Sequence, residues 1–275
     1  MKKFFEGWYH KHQANGKTLA IIPGKADDGA FIHVIADNGS ATVPFDLSEY
    51  RKDGILAIGD NQFSDSGILL NIERDGFSIH GELKYSGLVP IRGDIMGIFR
   101  FFPMECRHGI VSMKHDVHGE IVWNNEKYKF EGGTGYIETD SGSSFPDSYS
   151  WVHSNDFTEP CSITAAVARI PFAGMKFWGC FCVVWYKGRE YRLATYRGAK
   201  ILCCENGIIE LGQGKYRLSV KVKRENAFCL PAPKLGSMNR IIKESPSCPT
   251  EFNFTVNGRT IFSAESRHTS YEFAR

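Results

Sequence analysis

Gly67-Ile-Leu-Leu-Asn-Ile-Glu-Arg-Asp-Gly-Phe-Ser-Ile-His-Gly-Glu-Leu-Lys-Tyr85 reads as two short runs rich in β-branched and aromatic residues around Asp75-Gly76. An Asp-Gly or Asn-Gly pair tolerates the positive φ angles of a tight hairpin and is the strongest short-range hairpin signal. The same punctuation recurs as Asn-Gly at 15, 38, 206 and 257, and as Asp-Gly at 28 and 53. Asn124-Asn125 and Lys187-Gly188 add two further turns. Between them lie runs at 120–123, 163–170, 181–186 and 216–222, while helical periodicity is nearly absent. The chain is predicted to be an antiparallel all-β protein.

The chain also echoes itself. Leu19–Pro23, Gly29–Ile35 and the turn at Asn38 are repeated by Val167–Pro171, Gly179–Val184 and the turn at Lys187. Residues 68–74, 77–83 and 88–90 answer to 208–211, 216–222 and 230–231. Trp123–Tyr128 pairs more loosely with Val256–Ile261, and Trp8-Tyr-His10 has a counterpart in Trp151-Val-His153. Order kept across these blocks points to duplication. Two lipocalin-like antiparallel β-barrel units are expected, 1–145 and 146–275, with a ligand cavity involving both. Closed or nearly closed barrels protect strand edges, which favours them over sandwiches.

Composition narrows the function. The 275 residues carry a net charge of +2 with acids and bases interspersed, so no nucleic-acid stripe is present. Aromatic residues make up 13%. No run of ~18 apolar residues exists to cross a membrane as a helix. The basic-aromatic tip Lys2-Lys3-Phe4-Phe5 is the feature that would give peripheral membrane contact, and Glu6 and His10 interrupt any signal peptide. The eight cysteines match no disulfide or zinc spacing, so reduced thiols and a cytoplasmic location are expected.

Acids, histidines and aromatics crowd 104–157, the mixture of a polar cluster inside an aromatic-lined small-molecule cavity. Alternation puts Glu6, Trp8, His10 and His12 on one strand face, with Tyr9 and Lys11 opposite. Tyr149, Trp151, His153 and Asn155 share another face. Glu105 and His108 follow a Phe-Phe-Pro-Met stretch that would desolvate a carboxyl and raise its pKa. Glu138 and Asp140 share a face with Tyr136, and if they are close and shielded from water, repulsion would hold one proton between them. His108, His115 and His118 fit no metal signature, and hydrogen-bonding roles are expected for them. No dinucleotide, phosphate-loop or nucleophile-elbow motif occurs.

Phe5-Glu-Gly-Trp-Tyr-x-Lys11, Met104-Glu-Cys-x-His108, Ser112-Met-x-His115 and Gly135-Tyr-Ile-Glu-x-Asp-x-Gly-x-Ser-Phe-Pro146 with Tyr149-x-Trp151 resemble motifs of the tocopherol cyclase family. Tyr191-Arg-x-Ala-Thr-Tyr196 and Leu230-Pro-Ala-Pro233 extend the likeness. With no plastid-targeting segment before the first motif, a microbial relative is expected. The resemblance implies lipocalin-like units and ring closure on a prenylated phenol or quinol, an isomerase-class reaction needing no cofactor or metal. It implies Glu138 or Asp140 as proton donor, with Glu105 and His108 orienting the phenol. Glu6, Trp8, Tyr9, Lys11, His115, Tyr136, Tyr149, Trp151 and Asn155 would bind the substrate. A carrier of an isoprenoid, quinone or lipid, or a related hydratase or isomerase, are the alternatives.

Overall fold

The computed structural model describes residues 3–172, 174–223 and 226–274. The hairpin read first is present. Gly67–Arg74 pairs antiparallel with Phe77–Ser86, and Gly76 closes the turn at φ 75°. The described strands form two antiparallel sheets. One has twelve strands between Phe5 and Gly142; the other has ten, between Tyr149 and Ala274.

The two sheets are wound alike. In each, the opening strand lies between the second strand and the last. Phe5–Ala14 pairs with Lys17–Ala26 and Gly133–Gly142, and Tyr149–Ser154 pairs with Cys161–Phe172 and Arg259–Ala274. A long strand then pairs with that last strand on its other side, Cys106–Trp123 in one sheet and Ser237–Val256 in the other. The repeated blocks keep their inside-outside sense. Ala30, Ile32 and Val34 fill the concave core of the first sheet, as Cys180, Cys182 and Val184 fill that of the second. These cysteines serve as small buried apolar side chains.

One echo fails. Trp8 packs on the core of the first sheet, whereas Trp151 faces the seam between the sheets. An offset of one residue along a strand reverses every face, so this pair shares a motif but not a position.

The units are lipocalin-like, but their hydrogen-bond ladders stay open, which corrects the expected closed barrels. The first ladder ends at Gly39–Phe45 and Tyr50–Asp53, and the second at Arg189–Ala194 and Lys200–Glu205. Short 3₁₀ turns, Leu47–Glu49 and Thr195–Arg197, join these ends. The end strands are short and charged (Arg51, Lys52 and Asp53 in one, Lys200 and Glu205 in the other), which guards exposed edges without closure.

The N-terminal tip is also revised. Lys2 lies outside the described residues, and Phe5 is buried against Phe145 with ring centroids 5.4 Å apart, leaving Phe4 exposed. Among the described residues no helix is long and apolar enough to cross a membrane.

A third apolar cluster fills the seam. Tyr9, Ile110, Met113 and Tyr136 of the first sheet meet Trp151, Val183 and Ile242 of the second. Polar ties cross the same plane. Asn155 Nδ2 donates to the Gly135 carbonyl at 2.9 Å, and Ser162 Oγ donates to the Met113 carbonyl at 2.6 Å.

Candidate active site

Gly133–Gly142 lies between Phe5–Ala14 and Cys106–Trp123, in a register that sets His108 beside Asp140 and Ile110 beside Glu138. Strand alternation turns Tyr136, Glu138 and Asp140 to one face, toward the second sheet. That sheet answers with Glu244 and Glu272, which face each other across neighbouring strands. Four carboxyl groups therefore gather at the seam.

Two of these acids share one histidine. His108 Nδ1 lies 3.0 Å from Asp140 Oδ1 in hydrogen-bond geometry. His108 Nε2 lies 3.3 Å from Glu138 Oε2 but off the hydrogen-bond direction, so it is an ion-pair approach that leaves Nε2 without a hydrogen-bond partner. Tyr136 donates its hydroxyl to Glu138 Oε2 at 2.5 Å, and Phe181 stacks on the His108 ring at 4.8 Å. Tyr149 donates to Glu272, and Tyr9 donates to Glu244 at 2.7 Å.

These groups meet a cavity of about 150 Å³ whose lining is otherwise mostly apolar. Glu105, Cys106, His108, Glu138 and Asp140 come from the first unit; Tyr149, Trp151, Phe181 and Glu272 come from the second. Met96, Phe99, Met104, Ile170 and Phe177 complete the apolar side.

Such surroundings set protonation. Burial raises Glu138 to about 8; the Asp140 charge adds to this and His108 opposes it without prevailing. Burial likewise lifts Glu272 to about 8, reinforced by Asp140 and Glu138 against the hydrogen bond from Tyr149. Burial pulls His108 down, but the charges of Glu138 and Asp140 outweigh it and carry the ring to about 9. Burial and the nearby Asp147 charge also raise Glu105. Burial thus favours the protonated form of Glu138 and Glu272, while the Asp140 charge, which remains when Glu138 holds its proton, favours the protonated ring of His108. Desolvation outweighs pairing for the acid, and pairing outweighs desolvation for the histidine.

All four residues expected to do chemistry, Glu105, His108, Glu138 and Asp140, line the cavity. Of the nine expected to bind substrate, Tyr149 and Trp151 line the cavity as well. The rest stand elsewhere. Glu6 is held near the surface by Tyr50, Lys25 and Lys52, and Trp8 faces the first sheet's own core. Tyr9 is spent on Glu244. Lys11 is wholly buried and donates to the His268 carbonyl at 2.7 Å, and burial lowers its pKa to about 7. His115 packs over Gly135 and bonds Ser112, while Tyr136 stacks on His153 at 3.6 Å. Asn155 bridges the sheets through Gly135. Of these, Tyr9 and Tyr136 stand at the seam behind the cavity, bonded to Glu244 and Glu138.

The reading missed Glu272 and Phe181 in the lining, and Glu244 behind it. No local motif marks them. Glu272 is recruited because the last strand pairs with Tyr149–Ser154, setting Trp151 beside it, and only the sheet order reveals that.

His108, Glu138 and Asp140 offer one ligand atom each within 4.8 Å of one another, so their spacing would admit a cation. A ligand carboxyl must be ionised, and burial holds Glu138 protonated.

Fold and site together define a two-sheet lipocalin-like protein with an acid-bearing cavity at the seam of its halves. Residues 85–205 match the tocopherol cyclase-like family model, so that segment is similar to the proteins of that family. Solved structures share the fold at low identity. CghA, solved with Sch210972, is 10% identical with a TM-score of 0.64, over 100% of this chain and 89% of that one. Kievitone hydratase from Nectria haematococca is 10% identical with a TM-score of 0.57, over 98% and 88%. A protein assigned as AttH from Nitrosomonas europaea is 11% identical with a TM-score of 0.56, over 100% and 92%. No curated protein matches the chain.

Proposed function

We propose that this protein is an acid catalyst that closes a ring on a prenylated phenol or quinol without redox change. Glu138 is the proton donor. Its proton adds to the less substituted carbon of a trisubstituted alkene, leaving a tertiary cation on the neighbouring carbon. The phenolic oxygen forms the new C–O bond and releases its own proton to the acid cluster, so the net proton count is unchanged. The Glu138 carboxylate left behind is stabilised by the Tyr136 hydroxyl at 2.5 Å and by His108 at 3.3 Å. Asp140 holds His108 in place and keeps it charged; Glu105 and Glu272 remain to orient the phenol. Trp151, Tyr149 and Phe181 offer ring faces to the cation, and the apolar walls keep water from capturing it.

The observation that carries this reading is the placement of Glu138 and its partners on the wall of an otherwise mostly apolar cavity. A simple carrier of lipids gains nothing from burying acids there, since each costs desolvation. The tocopherol cyclase-like match over 85–205 supports the same chemistry.

The substrate reaches this cavity from a lipid surface. Ile98, Phe101, Phe102, Met175 and Trp178 are all exposed beside the lining residues Phe99 and Phe177, with Arg100 among them. An exposed apolar patch of this kind with a basic neighbour suits an interfacial position.

Incubation with a prenylated hydroquinone in deuterated water tests the reaction. Ring closure gives a product of unchanged composition apart from one deuterium at the protonated carbon. A product heavier by the elements of water would assign a hydratase, and recovery of unaltered ligand would sink the catalytic reading.

A further inference from the structure

The strand Phe5–Ala14 has two faces, and only one serves the seam. Tyr9 and Lys11 point toward the second sheet, while Trp8 and His10 point into the concave side of the first. A second cavity of about 480 Å³ opens there, and it shares no lining residue with the acid cavity.

His10 forms part of that wall and is 2% exposed, yet neither ring nitrogen has a hydrogen-bond partner among the described residues. The other buried histidines each have at least one. His12 bonds the Leu19 carbonyl and Tyr85, His33 bonds Thr42, His115 bonds Ser112, and His153 bonds Ser162. A neutral imidazole carries one donor and one acceptor, and leaving both unmade in a buried site is costly. The exception sits where there is room for a partner that is not part of the chain.

The surroundings define that partner. Leu56, Phe63, Val111 and Ile137 make one side of the cavity apolar, Lys52, Ser64 and Asp65 give it a polar side, and the Phe63 ring lies 6.0 Å from that of His10. Burial keeps His10 neutral, with its pKa lowered to about 3, so it offers no charge to an anion. The nearest cation, Lys52, lies 4.2 Å over the Trp8 ring and is paired with Glu6 at 2.9 Å, so its charge is already answered.

The structure assigns to the N-terminal unit a second ligand site, for an uncharged apolar molecule whose hydroxyl or carbonyl group pairs with His10. This site is independent of the acid cavity and of the reaction proposed for it.

Nuclear magnetic resonance of the full chain labelled with ¹⁵N-histidine tests the assignment, with 4-propylphenol and propylbenzene as probes. The His10 ring signals, identified by their loss in His10→Phe, shift saturably with 4-propylphenol. Propylbenzene binds about tenfold more weakly, the worth of one neutral hydrogen bond. The response persists in Glu138→Gln, and His10→Phe removes the preference between the probes. If His10→Phe does not fold, His10→Gln identifies the signals, and the wild-type comparison of the two probes decides. Unmoved His10 signals, equal affinity for the two probes, or loss of the response in Glu138→Gln would each overturn the site.

Discussion

His108 and Asp140 sit directly opposite each other on paired strands, and their side chains meet at 3.0 Å between Nδ1 and Oδ1. This contact fixes which ring nitrogen faces Glu138. Asp140→Asn keeps the shape but removes the charge that sustains the imidazolium. The His108 pKa should then fall from about 9 toward the ordinary histidine range, as read by ring ¹⁵N titration. Turnover should fall about a hundredfold through loss of the charge that stabilises the Glu138 carboxylate by way of His108, with substrate affinity little changed. Wild-type turnover together with an unchanged His108 titration would remove Asp140 from this role.

Glu138→Gln retains size and a carbonyl acceptor for Tyr136 but has no proton to give. Ring closure should fall by about 10²–10⁴, the usual share of a positioned general acid. In the wild type, turnover should persist from neutral pH downward and decline as pH rises through about 8, where Glu138 ionises. A profile flat through that point, or full activity in the variant, would move the donor role elsewhere.

Delivery from lipid is separable from chemistry. Phe101 and Met175 are 74% and 72% exposed and belong to the rim rather than the cavity lining. Replacing both with Ser should weaken co-sedimentation with anionic phospholipid vesicles. It should also slow turnover of vesicle-borne substrate severalfold, while detergent-dispersed substrate is turned over as before. Equal vesicle binding by both proteins would assign the patch another purpose.

Much of this architecture was legible locally. Asp75-Gly76 and Asn15-Gly16 announced hairpins because their backbone demands are met by few residues, and the inward alternation of Ala30, Ile32 and Val34 follows from strand geometry. Glu138, Asp140, Glu105 and His108 were legible because a carboxyl among rings is an expensive choice. Which face of Phe5–Ala14 looked at which neighbour was not legible. Alternation separates Trp8 from Tyr9, but only the pairing of Tyr9 with Glu244, 235 positions away, tells which side is the seam. Glu272 stayed hidden for the same reason, since its place depends on the last strand closing against the opening strand of its unit.

Stability should depend on pH with opposing limbs. Burial holds His10, His33 and His115 at about 3, 3 and 4, against 6.5 in the unfolded chain. Between those values the unfolded chain binds more protons, so stability rises with pH up to about 6.5 and is lost on acidification. Glu138, Glu244 and Glu272 run the other way. Each goes from 4.5 unfolded to about 8 folded, so their contribution is complete below 4.5 and is lost as pH climbs through 8. Glu244 lies behind the cavity, so Glu244→Gln isolates one such term. Melting curves at pH 5.5 and 8.5 should converge in this variant relative to wild type, by on the order of 1–2 kcal/mol. An undiminished difference would mean that Glu244 is ionised throughout.

Gly135 is a point where the core of the first sheet, on the side away from the seam, tolerates no extra atom. A Cβ there would fall 2.2 Å from His115 Nε2, and the Gly135 carbonyl is the acceptor for Asn155 across the two sheets. The His115 ring cannot retreat easily, since it lies against Tyr85 at 4.6 Å and bonds Ser112 at 3.2 Å. Gly135→Ala should therefore destabilise the protein by about 1–3 kcal/mol, the cost of forcing a packed core to move. Adding His115→Ala removes the obstructing ring, so the double variant should be more stable than the sum of the two single losses predicts. Chemical denaturation of all four proteins measures that coupling. Strict additivity would show that Gly135 is required for its backbone rather than for the space it leaves to His115.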